Sequence, residues 1–430
     1  MALLTAALLA CVVCGRLNGW LRSLRLDGGP SRSELARDLP EVPPLITFTT
    51  VALGGFRGVL ADILWVRATG LQDEGRFFEI AQLANWITHL EPRIPEVWAY
   101  HAWNLAYNVS VMFPDPEDRW RWVQQGVRLL RDQGIPYNAR DPRLYWELAW
   151  LYHHKIGGTW DDAERIYKLK LAATMESLIP GGLLAGGLSN RTAVGCHLER
   201  EHGLALPLME ATDVELGPLD WRLPESFAVY WSRRGREVNP ADPWCARVLY
   251  QAMREIFRNG RLLYEPQRGL IVRGPRFDLF AKVCAAFERS QRVTGDPTTA
   301  LAYENFLRDA VLLAYVFGRE PEAAAALQRL QAAAPAAHYP PDVEAFVRAE
   351  AREGTGNMSP EGLTALVVDL LVQAHEWRAE GDTDTASGYE RLARLYWDAG
   401  ASGRERPAWE ALQDLAEREA TSKRAGDGDG

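Results

Sequence analysis

The sequence predicts an all-α fold, an α-solenoid of stacked helix pairs, and three observations carry that expectation. Two distant segments share one pattern. Ala61–Pro92 runs Ala61-Asp-Ile-Leu-Trp-Val-Arg-Ala68, then Gly75-Arg-Phe-Phe-Glu-Ile-Ala81, and closes on Leu90-Glu-Pro92. Glu304–Pro335 places Leu307, Val311 and Ala314 before Gly318, then Ala323, Leu327 and Leu330 before Pro335. In both, apolar and small residues recur at the spacing of one helix face on either side of a glycine turn. A further copy ends at Asp141-Pro142. The second observation is aromatic content: 16 Trp, 14 Tyr and 13 Phe, many at helical spacing, as in Trp98/Trp103, Trp120/Trp122 and Trp146/Trp150. Large aromatics fill gaps between helices. The third is length: 430 residues is long for one compact core, whereas a stack has no such ceiling because each unit packs only on the next.

The elements follow in chain order. Residues 1–26 read as a membrane-directed segment, with Ala2–Gly15 apolar almost throughout and Arg16, Arg22 and Arg25 after it. That run is short of the roughly 20 residues needed to span a bilayer, and it lacks the basic leader of a secretory signal. It is therefore a short signal-anchor, a signal whose start is trimmed, or an amphipathic helix continued by Trp20–Leu26 and lying on the membrane. The arginines after it favour a cytoplasmic body by the positive-inside rule, while a missing basic leader would reverse that; the expectation leans to an extracytoplasmic body. Residues 27–50 are a linker, since Gly28-Gly-Pro30, Pro40, Pro43 and Pro44 prevent a long helix.

Residues 51–178 hold the first helix pairs. Phe56–Leu71 pairs with Phe77–Leu90. Glu96–Tyr107, opened by Pro95, pairs with Asp118–Arg131 after the break Phe113-Pro-Asp-Pro-Glu117. Arg143–His154 turns at Gly157-Gly158 into Trp160–Leu178, where Asp161 and Asp162 suit the positive end of the helix dipole. Residues 179–224, rich in Gly and Pro, read as a central irregular insertion and a candidate functional excursion. Residues 225–400 return to helices: Glu225–Arg234, Pro243–Arg258, Phe277–Gln291, Ala302–Phe317 with Pro321–Ala334, and Pro360–Ala379 with Thr383–Ala399. Gly269–Arg273 is a short strand or an extended loop. Residues 401–430 are a terminal helix and a disordered tail that begins at Thr421.

Composition narrows the function. Hydrophobic content of 47% and charge of 24% fit a folded body, and a net charge of −9 argues against nucleic acid as the main partner. Five cysteines, an odd number, do not form a disulfide framework. No phosphate loop, nucleophile elbow or zinc helix motif occurs. His153 and His154 are adjacent, so they point about 100° apart on a helix and cannot jointly grip a metal. Cys196, His197, Glu199, Glu201 and His202 form the one ligand-like cluster, read as a solvated turn. No metal and no cofactor is expected.

The register of the helix pairs resembles the tetratricopeptide repeat, whose period is about 34 residues with small residues where paired helices touch. More narrowly, Gly55-Phe-Arg-Gly-Val-Leu-Ala-Asp-Ile-Leu-Trp-Val-Arg67, Leu90-Glu-Pro-Arg-Ile-Pro-Glu-Val-Trp98 and Trp221-Arg-Leu-Pro-Glu225 resemble a group of bacterial membrane-anchored repeat proteins with no assigned activity. The resemblance implies a right-handed superhelix of about five to seven pairs, anchored to a bacterial cell membrane by its N-terminus. It also implies that inward positions of each first helix face a concave groove. Carried onto this chain, those positions are Asp62 and Trp65, then Glu96, Trp103 and Tyr107, then Arg143, Trp146, Trp150, His153 and His154. Complete signature repeats are absent, and the middle pairs carry insertions.

An aromatic groove with few charges suits an extended, partly apolar peptide. The expected function is therefore a membrane-anchored, non-catalytic scaffold or adaptor holding a protein or peptide. The bland alternative is that these aromatics only pack the superhelix. The enzymatic alternative is a glycan-processing toroid of helix pairs, which needs two carboxylates roughly 5–10 Å apart in an aromatic cleft. Asp62, Glu96 and Glu147 are its best-placed acids.

Overall fold

A computed structural model describes residues 56–188, 190–400 and 407–426. The expected anchor at 1–26 and linker at 27–50 lie outside them. The chain divides into two compact units, one holding residues up to Ile166 with Glu237–Asn239, the other Tyr167–Arg236 with Pro240–Gly430. Both are predominantly helical, which bears out the all-α class. No helix among the described residues is long and apolar enough to cross a membrane.

The first unit contains α1 (Phe56–Asp73), α2 (Phe77–Leu90), α3 (Pro95–Trp103), α4 (Pro116–Arg128) and α5 (Arg143–Trp150). Short turns join α1 to α2, so the two pack as neighbours, and α2 packs on α3 in turn. Ala61, Ile87, Leu90 and Val97 make their shared core, with Trp65 packed against it. Between α3 and α4 the backbones come close: a Cβ on Gly126 would lie 2.8 Å from the Ala102 carbonyl oxygen. Helices α3, α4 and α5 each continue into a π-helical turn, Asn104–Val109, Leu129–Gly134 and Leu151–Ile156. Such turns are rare and frequently accompany functional sites.

The second unit contains α6 (Glu164–Leu178), α7 (Arg191–His197), α8 (Leu206–Leu216), α9 (Pro224–Val238), α10 (Pro243–Asn259), β1 (Arg261–Glu265), β2 (Leu270–Gly274), α11 (Phe280–Thr294) and α12 (Pro297–Val316). It continues with α13 (Glu320–Ala333), α14 (Val343–Thr355), α15 (Pro360–Ala379), α16 (Thr383–Ala399) and α17 (Trp409–Gly426). A repeated start signal explains several of these helices. Asp242 and Asp296 each precede a proline at the first helical position and accept a hydrogen bond from a following backbone N–H, of Cys245 and Thr298 respectively. Ser359 does the same for Gly362 in front of Pro360. An oxygen at the cap satisfies an orphan donor, and proline supplies the right φ without losing a needed one.

Stacked rings from α10, α11 and α12 fill one core region, with Phe287 set 5.4 Å from Phe306 and 4.5 Å from Tyr250. A second core joins α15, α16 and α17 through Val367, Ala374, Ala393, Leu412 and Ala416. The strands pair antiparallel, Arg261 opposite Gly274 and Glu265 opposite Leu270.

The region expected to be irregular differs from that expectation. Residues 179–224 carry α7 and α8, and Ile179, Leu204, Met209, Leu219 and Trp221 are buried core. From Trp221 to Tyr230 every residue is buried. Backbone bonds pin this stretch: Trp221 N–H donates to the Gly182 carbonyl at 2.9 Å, and the Ser226 hydroxyl donates to the Asp220 carbonyl at 2.6 Å. Glycine and proline here shape a packed connection and not a protruding excursion. At the other end α17 runs to Gly426, past Thr421, where a disordered tail was expected.

Candidate binding surface

The π-helical turns of α3 and α5 create the most distinctive surface of the first unit. Widening a helix by one residue rotates the side chains that follow it, and here Tyr107 on one turn meets His154 on the other. The Tyr107 hydroxyl and His154 Nδ1 lie 3.1 Å apart, with ring centroids at 5.8 Å. Trp103 stacks on Tyr107 at 5.3 Å, and Trp150 stacks on His154 at 4.7 Å and 17°. Trp160 continues the series, stacked on His154 at 6.2 Å and 11°. The result is an aromatic ladder whose two outer rungs are open: Trp103 is 41% exposed and Trp160 is 81% exposed. His153 closes the inner side, edge-on to Trp150 at 5.9 Å.

Charge is placed beneath and beside the ladder. The Lys155 ammonium lies 5.2 Å from the Tyr107 ring centroid and forms a buried ion pair with Asp161. Asp161 also accepts from Arg119 Nη1 at 3.1 Å and from the Ala163 N–H at 2.9 Å. A buried carboxylate with three donors is fully satisfied, so this pair stiffens the turn after α5. Burial pushes the Lys155 ammonium downward and Asp161 opposes it. Burial also lowers His154, helped by His153 and Lys155, which favours its neutral imidazole.

At the far end Arg143 bridges two acids. Its Nη1 lies 3.2 Å from Glu96 and its Nε 3.7 Å from Glu147, while the guanidinium sits 5.9 Å from the Trp146 centroid. Burial pushes the Glu147 carboxyl up to about 7, against the pull of Arg143. Tyr107 is pushed up by burial and then by Glu147, which ties this end electrostatically to the ladder.

Of the ten groove residues expected from sequence, Trp103, Tyr107, Trp150, His153 and His154 meet in the ladder. Glu96, Arg143 and Trp146 form the adjoining charged end. Asp62 and Trp65 join neither: Asp62 is exposed, and Trp65 packs edge-on to Tyr100 at 4.8 Å and against the α1–α2 core. Trp160 is the rung that sequence reasoning placed only as a helix start. Its place just after Gly157-Gly158 was the available signal, since surface loops disproportionately carry binding residues.

Among the described residues no group of three or more His, Cys, Asp or Glu side chains could hold a metal ion. In the cluster around Cys196, the His197 and His202 rings are 6.1 Å apart and Glu201 pairs with Arg200 at 2.8 Å. No protein-family model matches this chain, and no curated protein is similar to it.

Proposed function

We propose that this protein is a non-catalytic scaffold whose first unit holds a partly apolar segment of a partner protein or peptide along the aromatic ladder. The observation that carries the reading is the open pair of indoles, Trp103 and Trp160, at either end of a stack braced from below by buried ion pairs. Exposed tryptophan is costly to leave in water and is a common binding anchor. The pairing of α1 with α2, and of α12 with α13, supports a repeat solenoid of tetratricopeptide type as the scaffold. Residues 1–26 would tether it to a bacterial membrane.

A crosslinking pull-down from native membranes tests this, comparing wild type with a Trp103→Ala/Trp160→Ala form of unchanged circular dichroism. The reading requires a protein captured by wild type and lost by the variant. Equal capture by both forms would place binding elsewhere.

One observation favours a second, enzymatic reading. Glu147, with its carboxyl raised to about 7, and Glu96 share Arg143 beside the half-buried Trp146, a pattern that suits an acid and a base acting on a sugar. Release of reducing ends from a polysaccharide panel, abolished by Glu147→Gln, would support it; no release from any of them would end it.

A further inference from the structure

The second unit contains a cleft that the proposed scaffold role does not use. It has a volume of about 660 Å³, within the roughly 300–1,000 Å³ usual for small-molecule sites. Its walls come from β1, from the segment after β2, and from α15 and α16, so residues distant in sequence converge there. Four arginines and four carboxylates line it, the latter being Asp220, Asp278, Glu322 and Asp384.

The arginines are unequally engaged. Arg222 is consumed, with Nε and Nη2 on Asp220 and Nη1 on Glu176. Arg261 donates to Thr385 and Asp382 and lies flat over Trp377, 4.8 Å from the ring centroid. Arg276 grips Asp278 through Nε and Nη2, at 2.8 and 2.7 Å, and Nη2 also donates to the Pro218 carbonyl at 3.1 Å, while its Nη1 makes no hydrogen bond among the described residues. Arg319 is the least committed: one contact to Glu322 at 3.5 Å, with the guanidinium 5.2 Å from the Phe277 centroid. Phe277 in turn packs on Phe317 at 5.5 Å. Trp377, only 4% exposed, carries an indole N–H with no hydrogen-bond partner among the described residues. A buried donor left unpaired is unfavourable and is satisfied when an acceptor arrives.

We propose that this cleft binds a small organic acid, a monoanionic carboxylate carrying a flat apolar group. The carboxylate takes the loosely held guanidinium of Arg319, in place of the long Glu322 contact, and the Nη1 of Arg276. The flat group lies against Phe277 and Phe317, where aromatic faces supply apolar contact. A carboxylate matches the planar fork of a guanidinium. A single negative charge is also what the wall tolerates. With arginines and carboxylates balanced, a dianion such as a phosphate monoester meets uncompensated repulsion from Glu322 and Asp384.

Isothermal titration calorimetry of the full chain with 3-phenylpropionate, phenyl phosphate and phenethylamine tests the assignment. The expected result is saturable binding of 3-phenylpropionate, binding of phenyl phosphate weaker by about tenfold, and none of phenethylamine. Arg319→Ala should weaken 3-phenylpropionate binding about tenfold, and Glu322→Gln, which releases Arg319, should strengthen it about threefold. Arg319 and Glu322 side chains are 52% and 43% exposed, so both variants keep the fold. The assignment is overturned by absence of saturable 3-phenylpropionate binding or by phenyl phosphate or phenethylamine binding as tightly. Arg319→Ala binding that matches wild type overturns it as well.

Discussion

Trp160 and Trp150 sit in the same stack but answer to different forces. At 81% exposure Trp160 contributes little to folding, so Trp160→Ala should change stability by less than about 0.5 kcal/mol. Trp150 is half-buried, stacked on His154 and edge-on to His153. Trp150→Ala should cost about 2 kcal/mol, short of the roughly 3–5 kcal/mol of a fully buried Trp, with helical content by circular dichroism retained. A global loss of helix would make Trp150 core and remove it from the binding surface. Glu147 gives a pH signature. Its folded-state carboxyl is raised from 4.5 to about 7, so between those values the folded state binds more protons than the unfolded state. Stability from this group is therefore full at low pH and lost as pH rises through the window. Urea midpoints at about pH 5 and about pH 8 should differ less in Glu147→Gln than in wild type, with the variant gaining at the higher pH.

Helix starts and helix contacts set the behaviour of the elements. Asp296 caps α12 by accepting from Thr298 N–H at 2.9 Å and also pairs with Arg247 at 2.6 Å. Asp296→Ala should lower stability, read as a urea midpoint below that of wild type. Ala102 is 1% exposed where α3 meets α4, and its carbonyl already lies against Gly126. Ala102→Leu should cost about 1–3 kcal/mol by overpacking. These contacts also explain what could be read beforehand. Helices α1, α2, α15 and α16 were legible because periodic apolar residues sit between glycine turns or behind a Ser-Pro start. Helix α8 was not, because Pro207 looked like a breaker, yet it occupies the first turn where proline is tolerated. Strand β1 was missed for another reason. Arg261-Leu-Leu-Tyr-Glu265 has no alternation, and all five residues are half-buried, so no period marks it.

At the scale of the whole molecule, two kinds of site arise in two ways. The ladder draws on helices that are close in the chain, so the expected helix-pair register brought Trp103, Tyr107, Trp150, His153 and His154 into view from sequence. It failed for Asp62 and Trp65, because in the first helix pair Asp62 faces solvent and Trp65 packs on Tyr100 and the α1–α2 core. The cleft of the second unit draws on segments spread from Gly181 to Thr385, and no local pattern links Arg276 with Arg319 or Trp377. Such a site exists only in the folded chain. The central claim is that the ladder is where a partner sits. A photo-crosslinking amino acid in place of Trp160, compared in cells with one in place of the equally exposed Val214 of the second unit, tests it most directly. The account predicts a discrete protein adduct at position 160 that disappears when Trp103→Ala is added, and none at 214. The same adducts at both positions, or none at 160, would contradict it.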